Sequence, residues 1–225
     1  MNILVLGKGK TGSLVAEIAQ ERGHTVTSLD ETQNAGAAAL TAERLKNVDV
    51  AIDFTSPEAA VANITAVLRA GGRIVVGTTG WYAHLEAFSK LAAETGGALL
   101  YGTNFSIGVQ KLFQLTATLA ELEGYTFSID ETHHVTKLDA PSGTALTLKQ
   151  IITAKRPDAV VEITSYRIAD AKGEHIVRAV NDIDTIEVRH DATSRRGFAL
   201  GAVRAAEWVV GKTGSWEFRE IFPTL

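Results

Sequence analysis

The chain has 225 residues, of which 45% are hydrophobic and 21% charged, as is typical of a soluble globular protein. This length fits one large domain or two small ones. A formal net charge of −4 argues against nucleic acid or an anionic membrane as a partner, since either would favour a basic surface.

The chain contains no cysteine, which excludes disulfides, thiolate catalysis and cysteine metal sites and fits a reducing compartment. Its first residues lack a basic leader and the apolar core of a signal peptide. No run approaches the ~20 apolar residues that span a bilayer. We therefore expect a cytoplasmic protein without a membrane segment.

Short runs rich in β-forming residues alternate with helical patterns through the first hundred residues. Strands are predicted at residues 3–6, 25–29, 48–54, 74–76 and 98–101. Helices are predicted at residues 11–22, from 56 to about 70 and at 82–94, whereas residues 32–46 are alanine-rich and less clear. Strand and helix in this alternation predict an α/β fold with a Rossmann-like, doubly wound parallel sheet.

The pattern changes after residue 106. A helix at residues 107–122 precedes strands predicted at 125–131, 161–168, 176–180 and 186–190. Several strands with one intervening helix predict a smaller α+β domain with an open mixed sheet. A final helix at 198–210 is expected to return to the first domain. We therefore predict a dinucleotide-binding domain at residues 1–105 and 198–225, and a substrate-binding domain at 106–197.

A glycine loop directly follows the first strand and opens the first helix. The sequence there is Gly7-Lys8-Gly9-Lys10-Thr11-Gly12, a G-x-G-x-x-G pattern that lets a pyrophosphate approach the backbone and the helix amides. Asp30 ends the second strand, 18 residues past Gly12, where an acid accepts hydrogen bonds from a ribose 2′-hydroxyl. Glu31 disfavours a 2′-phosphate by repulsion, while Lys8 and Lys10 could attract one. NADH is the favoured cofactor, with NADPH left open.

Two further loops follow strands of the same sheet and are expected near the nicotinamide, because ligands of such folds bind at the carboxyl ends of strands. Their residues are Gly77, Thr78 and Thr79 in one loop and Gly102, Thr103, Asn104 and Phe105 in the other.

Residues 131–145 combine two histidines, a lysine and a helix start. His133 and His134 are adjacent on a strand and point to opposite faces, so they do not predict a shared metal, and we expect none. One imidazole can act as a general acid near neutral pH. Lys137 can hold a carboxylate or donate a proton. Pro141 and Ser142 begin a helix, which leaves the Gly143 and Thr144 amides for a second carboxylate.

The segment Glu131–Leu146 resembles the signature of the dihydrodipicolinate reductase family, E-x-H-H-x-x-K-x-D-A-P-S-G-T-A. The resemblance extends over the chain, including the glycine loop and the two later loops. It implies NAD(P)H-dependent reduction of a small cyclic dicarboxylate, 4-hydroxy-tetrahydrodipicolinate, in the diaminopimelate route to lysine. By position, it assigns proton transfer to His133 and Lys137. It assigns substrate binding to His134, Lys137, Ser142, Gly143 and Thr144. It also implies a homotetramer joined through the second-domain sheet.

Two alternatives remain at this point: a dehydrogenase of another substrate on the same two-domain plan, and a nucleotide sensor without turnover. Retention of both His133 and Lys137 argues against the sensor. Four further basic residues could attract an acidic substrate, although each taken singly is more typical of ordinary surface charge. They are Arg167, His175, Arg195 and Arg196.

Overall fold

The predicted strands are present in the computed structural model, which describes all 225 residues, Met1–Leu225. The strands are β1 (Asn2–Leu6), β2 (Thr25–Leu29), β3 (Val50–Asp53), β4 (Arg73–Val76), β5 (Ala98–Tyr101), β6 (Thr126–His133), β7 (Val161–Arg167), β8 (Glu174–Val180), β9 (Thr185–Asp191) and β10 (Gly214–Glu217). The helices are α1 (Lys10–Glu21), α2 (Ala42–Leu45), α3 (Pro57–Arg69), α4 (Leu85–Thr95), α5 (Ile107–Leu119), α6 (Gly143–Lys155), α7 (Arg196–Val209) and α8 (Phe218–Ile221).

Two structural units divide the chain. The first contains Met1–Ile107 and Arg196–Leu225, and the second contains Gly108–Arg195. Residues 106–107 and 196–197 thus fall in the first unit, two residues away from the expected boundaries on each side. No helix of the chain combines the length and the apolar character needed to cross a membrane.

The first unit contains a six-stranded sheet in the order β10-β5-β4-β3-β1-β2, and every neighbouring pair is parallel. This confirms the Rossmann-like prediction. Strand β10 was not predicted. Its sequence, Gly-Ser-Trp-Glu, lacks an apolar run and is only half-buried, because it pairs along the sheet edge beside β5.

Alternate residues of the central strands feed two separate cores, as expected when helices cover both faces of a sheet. Ile3 and Val5 of β1 pack in the core that includes α1 and α7. Leu4 and Leu6 of the same strand pack in the core that includes α3 and α4. Helix α3 begins as the sequence indicates, with Ser56 accepting the Ala59 amide and proline in the first turn. Residues 32–46 form a short 3-10 turn and α2.

The second unit contains a four-stranded sheet in the order β7-β6-β8-β9. Strands β6 and β7 are parallel, while β6–β8 and β8–β9 are antiparallel, so the predicted mixed sheet is confirmed. Apolar residues of α5 and α6 pack with Phe127 and Ile129 of β6 in one core. Strand β6 continues to His133, two residues beyond its predicted end at 131. This extension places the first histidine within the sheet.

Candidate functional site

The glycine loop of the first unit joins β1 to α1 through close backbone contacts. Gly7 has a φ of 96°, and a Cβ there would lie 2.2 Å from the Phe54 carbonyl oxygen. A Cβ on Gly12 would lie 2.0 Å from the Gly7 carbonyl oxygen. Gly9, by contrast, has open space where its Cβ would be. The loop therefore requires glycine at its two ends and leaves an approach to the backbone at its centre, as a pyrophosphate cradle does.

A cavity of about 720 Å³ opens beside this loop, within the first unit. Its walls include Gly7, Lys8, Gly9, Asp30, Glu31, Asn34, Phe54, Thr55 and Asn63. This volume lies within the range of small-molecule sites, and the pocket combines the loop with the predicted ribose acid. Lys10 and Thr11 lie in the first turn of α1 and do not line it. The residues present therefore fit a dinucleotide.

Asp30 is already held by its neighbours. Its carboxylate accepts hydrogen bonds from the Thr32 hydroxyl at 2.7 Å, the Gln33 amide at 3.0 Å and the Lys8 ammonium at 3.3 Å. These bonds, led by that from Thr32, lower the pKa of Asp30 to about 2, so the carboxylate is charged at neutral pH. Lys8 therefore lies beside the acid, where its charge partly offsets that of Asp30 and Glu31.

Asp53 at the end of β3 is a buried polar centre that the sequence reasoning missed. Its carboxylate accepts hydrogen bonds from the Thr78 hydroxyl at 2.6 Å, the Asn63 amide at 2.7 Å and the Thr55 hydroxyl at 2.9 Å. Burial raises its pKa despite these bonds. The network connects the loop after β4 to the cavity wall through Asn63, which also accepts a bond from Asn34. The only sequence signal was an acid at the end of a buried strand.

The two later loops lie at the carboxyl ends of β4 and β5, but their side chains have different surroundings. Gly77 packs against the Phe54 ring, Thr78 faces Asp53, and Thr79 is exposed. In the other loop, Gly102 and Phe105 pack against Phe218, and the Phe105 ring is buried in the core. Thr103 is exposed, and the Asn104 side chain accepts the Ser106 amide. A cofactor could therefore reach Phe105 only through its backbone.

In the second unit, sheet pairing gathers charged residues from three strands around Glu131. Glu131 of β6 lies opposite His175 of β8 in register, and Arg167 of β7 pairs with His133. The Glu131 side chain is fully buried; His133 Nδ1 lies 3.0 Å from its Oε2, and Arg167 Nη2 lies 3.1 Å from its Oε1. The His133 and His175 rings meet edge to face, 5.1 Å apart.

The cluster favours the charged form of the carboxylate and the neutral form of the two imidazoles. Burial alone would raise the pKa of Glu131, but hydrogen bonds from Ser142, Ser165 and Arg167 outweigh it and lower that pKa. Burial lowers the pKa of His133, and the opposing attraction of Glu131 does not fully compensate. Burial, reinforced by repulsion from His133, lowers the pKa of His175 to about 3. His175 is therefore neutral at physiological pH, and it cannot attract an anion by charge.

Glu131, His133 and His175 also offer three possible metal ligands within 4.8 Å of one another. The sequence reasoning did not find this group, because His175 joins it across the sheet. Two contacts favour a purely protein cluster. The Arg167 guanidinium already compensates the Glu131 charge, and Ser142 Oγ lies 3.3 Å from His175 Nε2. The expectation of no metal stays a prediction.

Lys137 and His134 lie in the loop after β6. The Lys137 ammonium contacts both Asp139 carboxylate oxygens, at 2.7 and 2.9 Å. Although burial opposes it, the Lys137 contact and a backbone bond from Gly143 lower the pKa of Asp139. Asp139 therefore occupies a position between an ammonium and the start of α6 that suits a carboxylate. His134 Nδ1 lies 2.7 Å from the Thr136 hydroxyl.

Helix α6 begins at Gly143, as the sequence indicates. Ser142 is buried, its hydroxyl accepts the Ala145 amide at 3.2 Å, and its own amide donates to Glu131 Oε1 at 3.2 Å. The hydroxyl and the amide of Ser142 are therefore already hydrogen-bonded within the protein. Gly143 is exposed, with open space where its Cβ would be, and Thr144 is half-buried. An anion at this helix start would meet the first turn at Gly143 and Thr144.

The other basic residues that the sequence singled out are dispersed. Arg167 donates to Glu131 and to the Asp139 carbonyl, so it stabilises the loop that carries Lys137. Arg196 pairs with Glu17 and Glu21 of α1 in the first unit. Arg195 is half-buried at the end of the second unit.

Comparison with protein families gives matches over nearly the whole chain. Residues 1–105 match the model of the dihydrodipicolinate reductase N-terminus, and residues 108–222 match that of its C-terminus. A 4-hydroxy-tetrahydrodipicolinate reductase of Christiangramia forsetii is 36% identical, over 100% of this chain and 99% of the relative. One from Natronomonas pharaonis is 35% identical, over 96% and 97%.

Solved structures share the fold. A dipicolinate-bound dihydrodipicolinate reductase from Paenisporosarcina superposes with a TM-score of 0.82 at 21% identity, covering 100% of this chain and 99% of that one. An amine dehydrogenase from Mycobacterium smegmatis superposes with a TM-score of 0.71 at 12% identity, over 97% and 95%.

Proposed function

This chain belongs to the dihydrodipicolinate reductase family, and on that premise we propose which of its residues carry out the reaction. The protein is an NAD(P)H-dependent oxidoreductase that reduces 4-hydroxy-tetrahydrodipicolinate to tetrahydrodipicolinate on the diaminopimelate route to L-lysine. The observation that carries the residue assignment is one cluster in the second unit. Lys137 lies close enough to lower the pKa of His133, and Asp139 contacts both Lys137 and the Gly143 amide.

The cofactor is held by the first unit, with NADH favoured over NADPH. When bound, the reduced nicotinamide supplies a hydride. Gly9 and the first turn of α1 receive the pyrophosphate, and Asp30 accepts the ribose 2′-hydroxyl in the adjoining cavity. Glu31 lines the same cavity and repels a 2′-phosphate. The positive charge of Lys8, beside Asp30, attracts a 2′-phosphate and so allows NADPH to bind as well. The loops at Gly77–Thr79 and Gly102–Phe105 complete the nicotinamide end mainly through backbone groups.

The substrate is a dianion, and the second unit offers it two positive positions. Lys137 binds one carboxylate in place of Asp139, and the amides of Gly143 and Thr144 bind the other, with His134 beside them. The Paenisporosarcina relative is described with dipicolinate bound, and we propose that the same planar dicarboxylate binds here.

His133 supplies the proton that accompanies the hydride, so that the ring gains two electrons and two hydrogens while the 4-hydroxyl group of the substrate leaves as water. The imidazole side chain is only 12% exposed, which limits exchange of its proton with water. Lys137 is the other candidate donor, but its ammonium is held by a carboxylate in the present geometry. We therefore assign carboxylate binding to Lys137 and proton donation to His133.

We also propose a homotetramer built through the second-unit sheet. Large apolar side chains are exposed on β7 and in the loops beside the sheet: Tyr166 of β7 is 47% exposed, and Ile168 and Ile183 of the loops are 56% and 88% exposed. Exposed apolar groups of this size mark interaction surfaces. Light scattering on the purified protein should give four times the 24.0 kDa chain mass. A monomer would contradict the proposal.

We place the protein in the cytoplasm, where NAD(P)H is available and where a cysteine-free chain meets no need for disulfides. Cell fractionation with an antibody should recover it with cytosolic enzymes. Recovery in a secreted or membrane fraction would contradict this location.

Oxidation of NADH and NADPH, followed optically with freshly generated substrate, tests the proposed site. Wild-type protein should use both cofactors, with a higher kcat/KM for NADH. Pyridine-2,6-dicarboxylate should inhibit competitively with the substrate, whereas pyridine-2-carboxylate, with one carboxylate, should inhibit far more weakly. Equal inhibition by the two compounds would contradict a site that binds two carboxylates.

A further inference from the structure

Glu131 contacts three parts of the second-unit site through one carboxylate. Its Oε1 accepts the Ser142 amide at 3.2 Å and Arg167 Nη2 at 3.1 Å. Its Oε2 lies 3.0 Å from His133 Nδ1 and 4.0 Å from His175 Nε2. The side chain is fully buried. A buried carboxylate is costly unless it is paired and hydrogen-bonded, so this residue needs a physical reason to be present.

We propose that Glu131 is the positioning residue of the site: its Oε1 fixes the start of α6, and its Oε2 holds the Nδ1 proton of His133, so that the protonated ring presents its second proton, on Nε2, to the substrate. The inference rests on the proposed role of His133 as the proton-carrying group. It adds a residue for which sequence reasoning gave no function, and it explains how a helix start and a histidine are kept in one arrangement.

The two oxygens have different partners, and the difference supports the proposal. Oε1 accepts hydrogen bonds from the Ser142 amide and from Arg167. Oε2 and His133 Nδ1 are both buried and have no other hydrogen-bond partner, although they lie 3.0 Å apart. The distance between them suits a hydrogen bond, and only the angle at the ring nitrogen falls outside hydrogen-bond geometry. A proton on Nδ1 satisfies both atoms at once, whereas a proton on Nε2 leaves two lone pairs facing each other.

The Ser142 contact connects the same carboxylate to the anion-binding turn. Ser142 is the N-cap of α6, and its hydroxyl accepts the Ala145 amide. By bonding the Ser142 amide, Glu131 sets where the first turn of α6 begins, at Gly143 and Thr144. Arg167 donates to the same Oε1 and to the Asp139 carbonyl, which fixes the loop before the helix. Displacement of Glu131 should therefore affect both proton transfer and substrate orientation.

The charges around His133 determine the sign of the pH effect. On β6 its neighbour is Glu131, in the following loop Lys137 and Asp139, on β7 Arg167, and on β8 the neutral His175 ring. Glu131 and Asp139 raise the pKa of His133, whereas burial, Lys137 and Arg167 lower it. Removing the Glu131 charge therefore lowers this pKa further. Activity that needs protonated His133 is present below its pKa, so the high-pH decline should begin at lower pH.

The Glu131→Gln variant tests this role in the full-length enzyme. Its carbonyl oxygen can still accept from Ser142 and Arg167, so folding should be retained. Its amide nitrogen then faces His133 Nδ1 and donates to it, which forces the ring proton onto Nε2. Nitrogen NMR of histidine-labelled protein, with His133 assigned by its loss in His133→Gln, reads this tautomer and the pKa directly. Both the tautomer and the pKa of His133 are measured without turnover.

In the neutral ring we expect the proton on Nδ1 in the wild type and on Nε2 in Glu131→Gln, and we expect a lower His133 pKa in the variant. The kcat should fall by about a hundredfold, because the ring loses both the charge that stabilises its protonated form and the acceptor that orients it. The high-pH limb of kcat/KM should move to lower pH together with that pKa. Glu131→Asp keeps the charge, so its His133 pKa should stay nearer the wild-type value than that of Glu131→Gln.

Asp130→Asn is the matched control, since it makes the same chemical change on the adjacent residue, whose side chain pairs with Arg178 instead. It should leave the His133 tautomer and the pH profile unchanged. An unchanged tautomer and pKa in Glu131→Gln would overturn the inference even if the wild type is an active reductase. A wild type that fails to oxidise NADH and NADPH with the substrate would instead overturn the proposed function, while the NMR result would stand by itself.

Discussion

The two candidate sites are built in opposite ways. In the first unit, backbone groups of the glycine loop and the first turn of α1 form the cradle, and side chains such as Asp30 contribute at one end. In the second unit, side chains from β6, β7 and β8 gather around the buried Glu131 carboxylate. A backbone cradle suits a pyrophosphate that many proteins bind alike, whereas a side-chain cluster can be adapted to one substrate and one proton transfer.

This difference predicts separate sensitivities. The first site should lose cofactor binding when a Cβ is added to a glycine of the loop, and it should tolerate many changes of side chain. The second site should lose turnover when a single titratable group is removed, with little effect on cofactor binding. Equal losses of cofactor binding and of turnover from changes at either site would contradict this difference.

Removal of His133 should have the largest effect on turnover. The His133→Ala variant loses the proposed proton donor, so kcat should fall by about 10²–10⁴-fold. NADH affinity, measured by fluorescence titration, should stay close to that of the wild type. His84→Ala removes an exposed histidine of the first unit and should change neither quantity. A His133→Ala enzyme with near-normal kcat would contradict the assigned proton donor.

Addition of one methyl group to the glycine loop should damage the first site. In Gly12→Ala the new Cβ would lie 2.0 Å from the Gly7 carbonyl oxygen, so the backbone must shift. The free energy of unfolding should fall by about 3 kcal/mol, and NADH binding should be lost. In Gly9→Ala the methyl group meets open space, so stability in urea should be retained while NADH affinity falls. Equal stability of both variants would show that the tight contact is absent.

Acid should destabilise the second unit through His175. Its pKa is lowered to about 3 by burial and by repulsion from His133, whereas in the unfolded chain it lies at about 6.5. Between these values the unfolded state binds a proton that the folded state does not, so stability is lost as pH falls. From pH 7.5 to 4.5 the loss should be about 2–3 kcal/mol.

Urea unfolding at the two pH values measures this loss. His175→Gln removes the titrating group and should show a smaller acid loss than the wild type, whatever its stability at neutral pH. His84→Gln, at an exposed position, should follow the wild type. An unchanged pH dependence in His175→Gln would mean that other groups cause the acid loss.

The smallest effect concerns the choice of cofactor. Asp30→Asn removes a charge at the ribose position, so the KM for NADH should rise by about tenfold while that for NADPH rises less or falls. Lys8→Ala should act in the other direction and weaken NADPH more than NADH. Parallel changes for both cofactors in both variants would contradict the placement of the ribose beside Asp30.

Local patterns predicted much of the first unit. Its first five strands, the glycine loop and the capping Ser56 can each be explained by a few neighbouring residues. Strand β10 was missed because Gly214–Glu217 has no such pattern and gains its structure by pairing with β5. Asp53 was missed for a related reason, since its partner Thr78 lies 25 residues away along the chain.

The second site was predicted in its residues but not in its arrangement. The segment from His133 to Thr144 was identified from local chemistry. The role of Glu131 was not identified, because it depends on Arg167 and His175. These two residues lie 36 and 44 positions after Glu131 in the chain, and the sheet places them beside β6. His175 was considered as an attractor of anions, but burial makes it neutral. Register and burial are properties of the folded sheet, and short spacing patterns do not encode them.

Binding of pyridine-2,6-dicarboxylate to wild-type, Lys137→Ala and Lys149→Ala proteins, followed by calorimetry in the presence of NADH, tests the central assignment most directly. Lys149 lies exposed on α6 and serves as the matched lysine control. The account predicts that Lys137→Ala weakens binding by about tenfold or more, while Lys149→Ala binds like the wild type. Equal affinity of all three proteins would contradict the placement of the dicarboxylate at the Lys137 cluster.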